Sequence, residues 1–248
     1  MHSTHHAAPP SGVLAGQAAL FLDFDGTLVE IAPLPGAIAP DPDLPGLLLR
    51  LSELLHGRLA IVSGRSVADI AHWLPDYAGV IAGSHGAEIR WADGRMEAPR
   101  RPEALDMALN EAHRFAGEYP GVTIEDKSLG VGLHYRTAPQ HAEAVDRFGR
   151  LLAASHGLTV QSGKMVVELR STGFDKGTAI RQLMAHPAFN SSAPIFIGDD
   201  LTDIPAMDVA VELGGFAIAV GNLEGTQARY RFADVAQTLN WLKQECTP

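Results

Sequence analysis

Five short apolar runs, each stopping on a polar turn, constrain this chain more than any other feature. They are 18–22, 58–62, 79–83, 194–198 and 215–220. The turns that end them are Asp23-Phe-Asp-Gly-Thr27, Ser63-Gly-Arg65, Ser84-His-Gly86, Asp199-Asp-Leu-Thr-Asp203 and Gly221-Asn222. Apolar runs this short, without polar alternation, read as strands buried on both faces. Helical patterns lie between them. Leu47, Leu48, Leu51, Leu54 and Leu55 form one apolar stripe, and Ser66-Val-Ala-Asp69 has the pattern of a helix start. Asp175-Lys-Gly177 opens a helix running to about Met184, and a last helix covers about Val235 to Leu242. This alternation predicts an α/β fold, a Rossmann-like doubly wound parallel sheet with helices on both faces. Ligands of such sheets bind beyond the carboxyl ends of the strands, where all of these turns fall.

From about Trp91 the texture changes. A helical stretch from Pro102 to Phe115 gives way to alternating strands. In 130–136, Val131, Leu133 and Tyr135 face one way and Gly132, His134 and Arg136 the other. A helix from about Gln140 to Ala154 follows. The segment 163–170 then alternates again, with Met165, Val167 and Leu169 opposite Val166, Glu168 and Arg170. Two helices with half-buried antiparallel strands predict a smaller inserted α+β domain. The expected organisation is a flexible lead-in at 1–15, a core at 16–98 and 172–248, and the insert at 99–171.

Composition narrows the classes of partner. The 248 residues allow one large domain or two modest ones, and 46% hydrophobic with 19% charged residues is ordinary for a globular chain. A formal net charge of −10 argues against nucleic acid or an anionic membrane as partner. No apolar stretch approaches the ~20 residues of a membrane span. The first ten residues have neither the basic nor the apolar region of a secretory signal, and their histidines read as part of a polar lead-in. The single cysteine, Cys246, cannot form an internal disulfide. These features predict a cytoplasmic monomer acting on a small molecule.

Residues two apart on extended backbone point the same way, so Asp23 and Asp25 are expected to share one small space. Carboxylates that close require a proton or a cation. Gly26 permits a sharp turn, and Thr27 adds a hydroxyl. One reading is a nucleophilic carboxylate beside an acid–base carboxylate over a divalent metal; the other is an Asx-rich turn capping a strand. At the sheet edge these acids should meet Ser63, Lys176, Asp199, Asp200 and Asp203. Oxygen-only ligands suit Mg²⁺. Lys176 supplies positive charge, and Ser63 a hydroxyl for a phosphoryl oxygen.

The order DxDGT, SGR, DKG, GDDxTD resembles that of the haloacid dehalogenase superfamily phosphatases. The resemblance implies Asp23 as nucleophile, passing through an aspartyl-phosphate, and Asp25 as general acid and later base. It implies Ser63 and Lys176 holding the phosphoryl group. Mg²⁺ would be bound by Asp23, the backbone carbonyl at Asp25, and Asp199, with Asp200 and Asp203 tuning the site from nearby. The segments Gly83-Ser-His-Gly-Ala-Glu88, Glu125-Asp-Lys127, Leu133-His-Tyr-Arg136, Gly163-Lys164 and Glu168-Leu-Arg170 look like those of trehalose-6-phosphate phosphatases, which carry an α+β cap at the position of the insert. This implies removal of phosphate from trehalose 6-phosphate, the last step of trehalose biosynthesis. Substrate contacts are implied at Gly64, Arg65, His85, Gly86, Lys127, His134, Arg136, Lys164, Glu168 and Arg170.

A disaccharide presents many hydroxyls and no charge, so its site needs fixed donors and acceptors, which these side chains supply. The competing reading makes them the solvated face of a small sheet and makes His85 a loop anchor. One departure from the family pattern is Ile204, which stands where GDDxTDE has glutamate. Rival functions are a phosphatase for sucrose 6-phosphate or a glucosyl- or mannosyl-glycerate phosphate, a phosphomutase, and a non-catalytic sugar-phosphate-binding module. A pure binder has no need of the second acid, Asp25.

Overall fold

A computed structural model of the chain describes residues 9–32, 37–163 and 165–247. Lys164, the histidines of the lead-in and residues 33–36 of the proline-rich loop lie outside the described residues. In chain order, β1 (Ala18–Leu22), α1 (Leu44–Leu54), β2 (Leu59–Val62), α2 (Val67–Trp73), β3 (Val80–Gly83), β4 (Glu88–Arg90) and β5 (Met96–Glu97) come first. Next are α3 (Glu103–Glu118), β6 (Thr123–Lys127), β7 (Gly130–His134), α4 (Ala142–His156), β8 (Thr159–Gly163) and β9 (Val166–Arg170). The chain ends with α5 (Lys176–Ala185), β10 (Ala193–Gly198), α6 (Ile204–Glu212), β11 (Phe216–Val220), β12 (Tyr230–Phe232) and α7 (Val235–Glu245). These elements gather into two compact units, one reaching Ala98 and resuming at Asp175, the other Pro99–Phe174.

The first unit is built on an eight-stranded sheet of order β12-β11-β10-β1-β2-β3-β4-β5. Alternate residues of β1 enter opposite cores. Leu20 and Leu22 pack with Leu47, Leu48 and Leu51 of α1, Ile70 of α2 and Leu242 of α7. Ala19 and Phe21 pack with Ile180 and Leu183 of α5 and Met207 and Ala210 of α6. Helices therefore cover both faces, and every residue of β1 is buried. Local signals start several of them: Ser66 accepts from the Asp69 N–H at 3.1 Å, Asp234 from the Gln237 N–H at 2.8 Å, and Asp175 and Thr178 form a reciprocal capping box.

Three features depart from the sequence expectations. The sheet is parallel from β12 to β3, but β4 and β5 add to its edge antiparallel. The reversal is made by three successive residues with positive φ: Ser84 (49°), His85 (57°) and Gly86 (95°). Helix α6 carries Pro205 in its first turn, where the missing N–H has no intrahelical partner to lose. The lead-in is anchored where it is described: Leu14 is fully buried, and the Gly12 and Leu14 N–H groups donate to the buried Glu245 carboxylate at 2.7 and 3.0 Å.

The second unit is a four-stranded antiparallel sheet, β6-β7-β9-β8, with α3 and α4 on one face. Val131, Leu133, Val167 and Leu169 point to those helices and meet Leu105, Ala108, Val145 and Leu152. Met165 does not belong to that alternation; it occupies a left-handed turn (φ 68°) before β9. Among the described residues, no helix is long and apolar enough to cross a membrane.

Candidate active site

Adjacent parallel strands bring their ends together. Leu22 on β1 pairs with Ile197 on β10, so the chain turns at Asp23 beside the turn at Asp199. Helix α5 packs against α6 with a glycine at the contact, since a Cβ on Gly177 would stand 2.7 Å from the Pro205 carbonyl oxygen. That close approach carries Lys176, at the first turn of α5, into the same place. Its Nζ donates to Asp23 Oδ1 at 2.5 Å and to Asp203 Oδ1 at 2.6 Å, with all three side chains buried.

Asp203 has both oxygens committed. Oδ1 takes Lys176, while Oδ2 accepts the backbone N–H groups of Asp199 and Asp200 at 3.0 Å each. Gly198 leaves room for this, because a Cβ there would lie 2.4 Å from Asp203 Cγ. Carboxylate oxygens of Asp23, Asp199 and Asp203 lie within 4.8 Å of one another. Burial pushes Asp23 well above the usual carboxylate range, the Asp203 charge adds to this, and Lys176 opposes it. Burial and then Asp203 raise Asp199 to about 7. Burial alone would lower Lys176; Asp203 and Asp23 outweigh it and hold the ammonium above its ordinary value.

The acid cluster differs from the expected one. Asp25 does not join it. Gly26 turns the chain (φ 84°), and the Asp25 carboxylate is gripped by Arg65, whose Nε and Nη2 donate at 2.6 and 2.8 Å. The charges acting on Asp23 are those of Asp203, Lys176 and Asp199. Asp200 is exposed, and its carboxylate belongs to the cap of the turn before α6. Asp203 lies inside the cluster and is fully buried.

The donor set fits a hard divalent cation. Asp199 Oδ1 is buried and has no hydrogen-bond partner among the described residues. The Asp199 carboxylate lies directly over Gly26, where a Cβ would stand 2.1 Å from Oδ2. Asp203, which accepts from Lys176 and from the Asp199 and Asp200 N–H groups, ties the cluster together. A cleft of about 640 Å³ opens beside Gly26 and Asp199, lined also by Glu30, Ile31, Leu201 and Asn222.

The remaining core positions cluster at the ends of β2 and β3. Ser63 is buried, and its Oγ accepts the Arg65 N–H at 3.1 Å. His85 is also buried; its N–H donates to the Ser63 carbonyl at 2.9 Å. The His85 ring lies against Gly64, where a Cβ would sit 2.6 Å from Nε2. Gly86 is pressed on α5, with 2.5 Å between a notional Cβ and that of Ala179. Two partners carried no site expectation: Glu88, buried and accepting from Ser84 Oγ, and Asp69, which takes the third arm of Arg65 at 2.7 Å. Asp69 is legible from sequence only as part of a helix start.

In the second unit, the face of the sheet away from α3 and α4 is polar. Lys127 Nζ donates to Glu168 Oε2 at 2.6 Å, and His134 Nε2 lies 2.8 Å from Glu125 Oε2. Glu125, Gly132, Glu168 and Gln161 form one row across the four strands. Gly132 keeps the middle of the row low, since its notional Cβ lies 3.0 Å from His134 Nε2 and 3.3 Å from Glu125 Oε2. Arg170 ends β9 and donates to the Phe174 carbonyl at 3.4 Å; Arg136 lies exposed just beyond β7. Glu125 and Gln161 carried no site expectation, although Glu125 stands two residues before Lys127 on the same strand.

The family described as trehalose-phosphatase matches residues 21–236, which takes in both polar sets. The chain belongs to that family. Within the trehalose-phosphatases it is 37% identical over 237 residues to the trehalose-6-phosphate phosphatase of Escherichia coli (strain K12), covering 94% of this chain and 88% of that protein. It is similar to the crystal structure of a trehalose-6-phosphate phosphatase related protein, with 30% identity, TM-score 0.77, and coverage of 90% of this chain and 95% of that one. The fold is also shared with a solved hydrolase of another description. A haloacid dehalogenase-like hydrolase from Bacteroides thetaiotaomicron shares it at TM-score 0.64 and 17% identity, covering 92% of this chain and 98% of that one.

Proposed function

We propose that this trehalose-phosphatase family member hydrolyses trehalose 6-phosphate to trehalose and phosphate through a covalent phospho-Asp23. The observation that carries the reading is the buried Asp23–Lys176–Asp203 arrangement beside Asp199. With Oδ1 of Asp23 committed to Lys176, its other oxygen is the one to attack phosphorus. The Asp23–phosphorus bond forms as the phosphorus–sugar oxygen bond breaks, and Asp25 delivers a proton to the departing sugar oxygen. Water then attacks phosphorus while Asp25 takes a proton from it, freeing phosphate and restoring Asp23.

Lys176, the Ser63 hydroxyl and the neighbouring backbone N–H groups balance the charge on the transferred group. Asp23, Asp199 and the carbonyl of Asp25 would hold Mg²⁺. When bound, Mg²⁺ supplies positive charge to the phosphoryl oxygens and to the acids around it. The polar row of the second unit supports recognition of a neutral, hydroxyl-rich sugar. Glu125 and Glu168 accept, Lys127 donates, and the glycines leave space for a pyranose ring. Family resemblance also assigns His85, Arg136, Lys164 and Arg170 to the substrate. The single cysteine suits a reducing, cytoplasmic setting.

The test is phosphate release from a panel of sugar phosphates, including sucrose 6-phosphate and glucosyl- and mannosyl-glycerate phosphates, with Mg²⁺ and with EDTA. Selective, metal-dependent release from trehalose 6-phosphate is expected. Release spread over the panel would keep the Asp23 chemistry and remove the sugar assignment. A folded protein that releases phosphate from none would be a binding module.

A further inference from the structure

We propose that Arg65 is a positioning residue, a two-point clamp that aims the Asp25 carboxylate, rather than a ligand of the substrate phosphate. The inference rests on the reading of Asp25 as the group that moves protons in the reaction. Three observations carry it. Arg65 meets Asp25 fork to fork, Nε to Oδ2 at 2.6 Å and Nη2 to Oδ1 at 2.8 Å, so both carboxylate oxygens are engaged in one plane.

The guanidinium is itself tied down. Nη1 holds Asp69 Oδ2 at 2.7 Å on the first turn of α2, and Cζ lies 5.9 Å from the centre of the Phe24 ring. The Arg65 side chain is 13% exposed, against 34% for Asp25. Its backbone is pinned on both sides. The Arg65 N–H donates to Ser63 Oγ, and its carbonyl accepts the Ser84 N–H at 2.7 Å. Arg65 thus joins the turns that end β1, β2 and β3.

An aspartate following a turn, one third exposed, would otherwise sample several rotamers, and a proton donor loses rate when its oxygen is off line. The clamp removes that freedom. Both proton transfers at Asp25 use one carboxylate oxygen. In the closed fork both oxygens accept from Arg65, the state left once the proton has passed to the sugar oxygen. The proton that comes back from water sits on one oxygen, whose arm of the fork opens, and it is the proton delivered in the next turnover. A fork can release that oxygen while its second arm keeps the carboxylate aimed. A lysine ammonium, a single point, cannot.

The test compares kcat/KM on trehalose 6-phosphate, whose alkoxide must be protonated to leave, with kcat/KM on p-nitrophenyl phosphate, whose phenolate leaves without a proton. Asp25→Asn is the reference, with an expected loss of about 10²–10⁴-fold on the sugar phosphate and far less on the aryl phosphate. Arg65→Lys is expected to show the same preference at smaller size: about 10–100-fold on the sugar phosphate, in kcat with KM held, and no more than about threefold on the aryl phosphate. Equal losses on both substrates would make Arg65 a phosphate ligand, and no loss would make it a surface ion pair; either overturns the clamp. If Asp25→Asn shows no preference, the reading of Asp25 falls and the clamp with it. Should Arg65→Lys fail to fold, Asp69→Asn decides. That variant keeps the bonds to Asp25 and loosens only the anchor, and absence of a preference there also overturns the proposal.

Discussion

Gly26 and Gly94 share a φ of 84° and differ in what surrounds them, so the pair isolates the contact that shapes the acid cluster. Adding a Cβ at Gly94 meets nothing within 4 Å, whereas at Gly26 it meets Asp199 Oδ2 at 2.1 Å and Cγ at 2.3 Å. For Gly94→Ala, left-handed backbone costs about 1–2 kcal/mol. The lost freedom of the unfolded chain returns about 0.4–1 kcal/mol. A net destabilisation of about 0–1.5 kcal/mol follows, with activity unchanged. Gly26→Ala carries the same backbone cost. In addition, Asp199 must move by more than about 1 Å to restore ordinary contact, an overpacking cost of about 1–3 kcal/mol. Because the displaced group is a proposed metal ligand, the Mg²⁺ concentration for half-maximal phosphate release should rise about 10–100-fold. Urea unfolding of both variants in EDTA, with a Mg²⁺ titration of turnover, reads the two effects separately. If Gly26→Ala matches Gly94→Ala within about 0.5 kcal/mol and keeps the parental Mg²⁺ requirement, Asp199 does not lie over Gly26 and the cluster is assembled wrongly.

Lys176→Gln leaves Asp23 and Asp203 buried without their cation and should cost about 3–5 kcal/mol at pH 8 in EDTA, with part recovered on adding Mg²⁺; a cost below about 1 kcal/mol by urea unfolding would contradict the ion triad. Asp199, raised to about 7 in the folded chain from an ordinary value of 3.8, holds a proton there that the unfolded chain gives up between those values. Its contribution therefore favours folding at low pH and is lost as pH rises through about 7. The stability of the parent relative to Asp199→Asn, followed from pH 5 to 8 in EDTA, should fall accordingly, and a flat difference would count against the buried acid. Glu168→Gln weakens the charge-assisted bond to Lys127 and should raise KM for trehalose 6-phosphate about tenfold while leaving p-nitrophenyl phosphate turnover alone. Equal effects on both substrates would argue that the strand face serves folding only.

The doubly wound architecture was legible because each buried strand is a short apolar run with a polar stop, a pattern that needs no tertiary information. Elements whose sequence speaks less clearly were not. Helix α6 follows directly on a polar turn with Pro205 near its start, and β4, β5 and β12 are too short to show a period. The direction of β4 depends on the left-handed run at 84–86, which Ser and His do not announce. At the site, the spacing of Asp23 and Asp25 suggested a shared space because extended backbone repeats every two residues. That repeat ends at the Gly26 turn, and the partner of Asp25 is Arg65, brought by a neighbouring strand end. Asp203 likewise looks peripheral in sequence, and its bond to Lys176 exists only because α5 and α6 approach closely at Gly177.

Strand β1, at the centre of the large sheet, lies between β2 and β10, and Leu22 is in register with Ile197. During synthesis, then, one side of the central strand is without its partner until the whole insert, α5 and β10 have followed it. At about 5–20 residues per second that interval is on the order of ten seconds or more. The four-stranded sheet of β6 to β9 draws every strand from residues 123–170 and is complete earlier. The inserted unit is thus the first complete sheet that the nascent chain can form. Asp23 and Asp199, at the ends of β1 and β10, are born far apart and meet only after the insert is made. A nascent chain stalled before Ile197 should be protease-resistant in the insert and cleavable through β1 to β3.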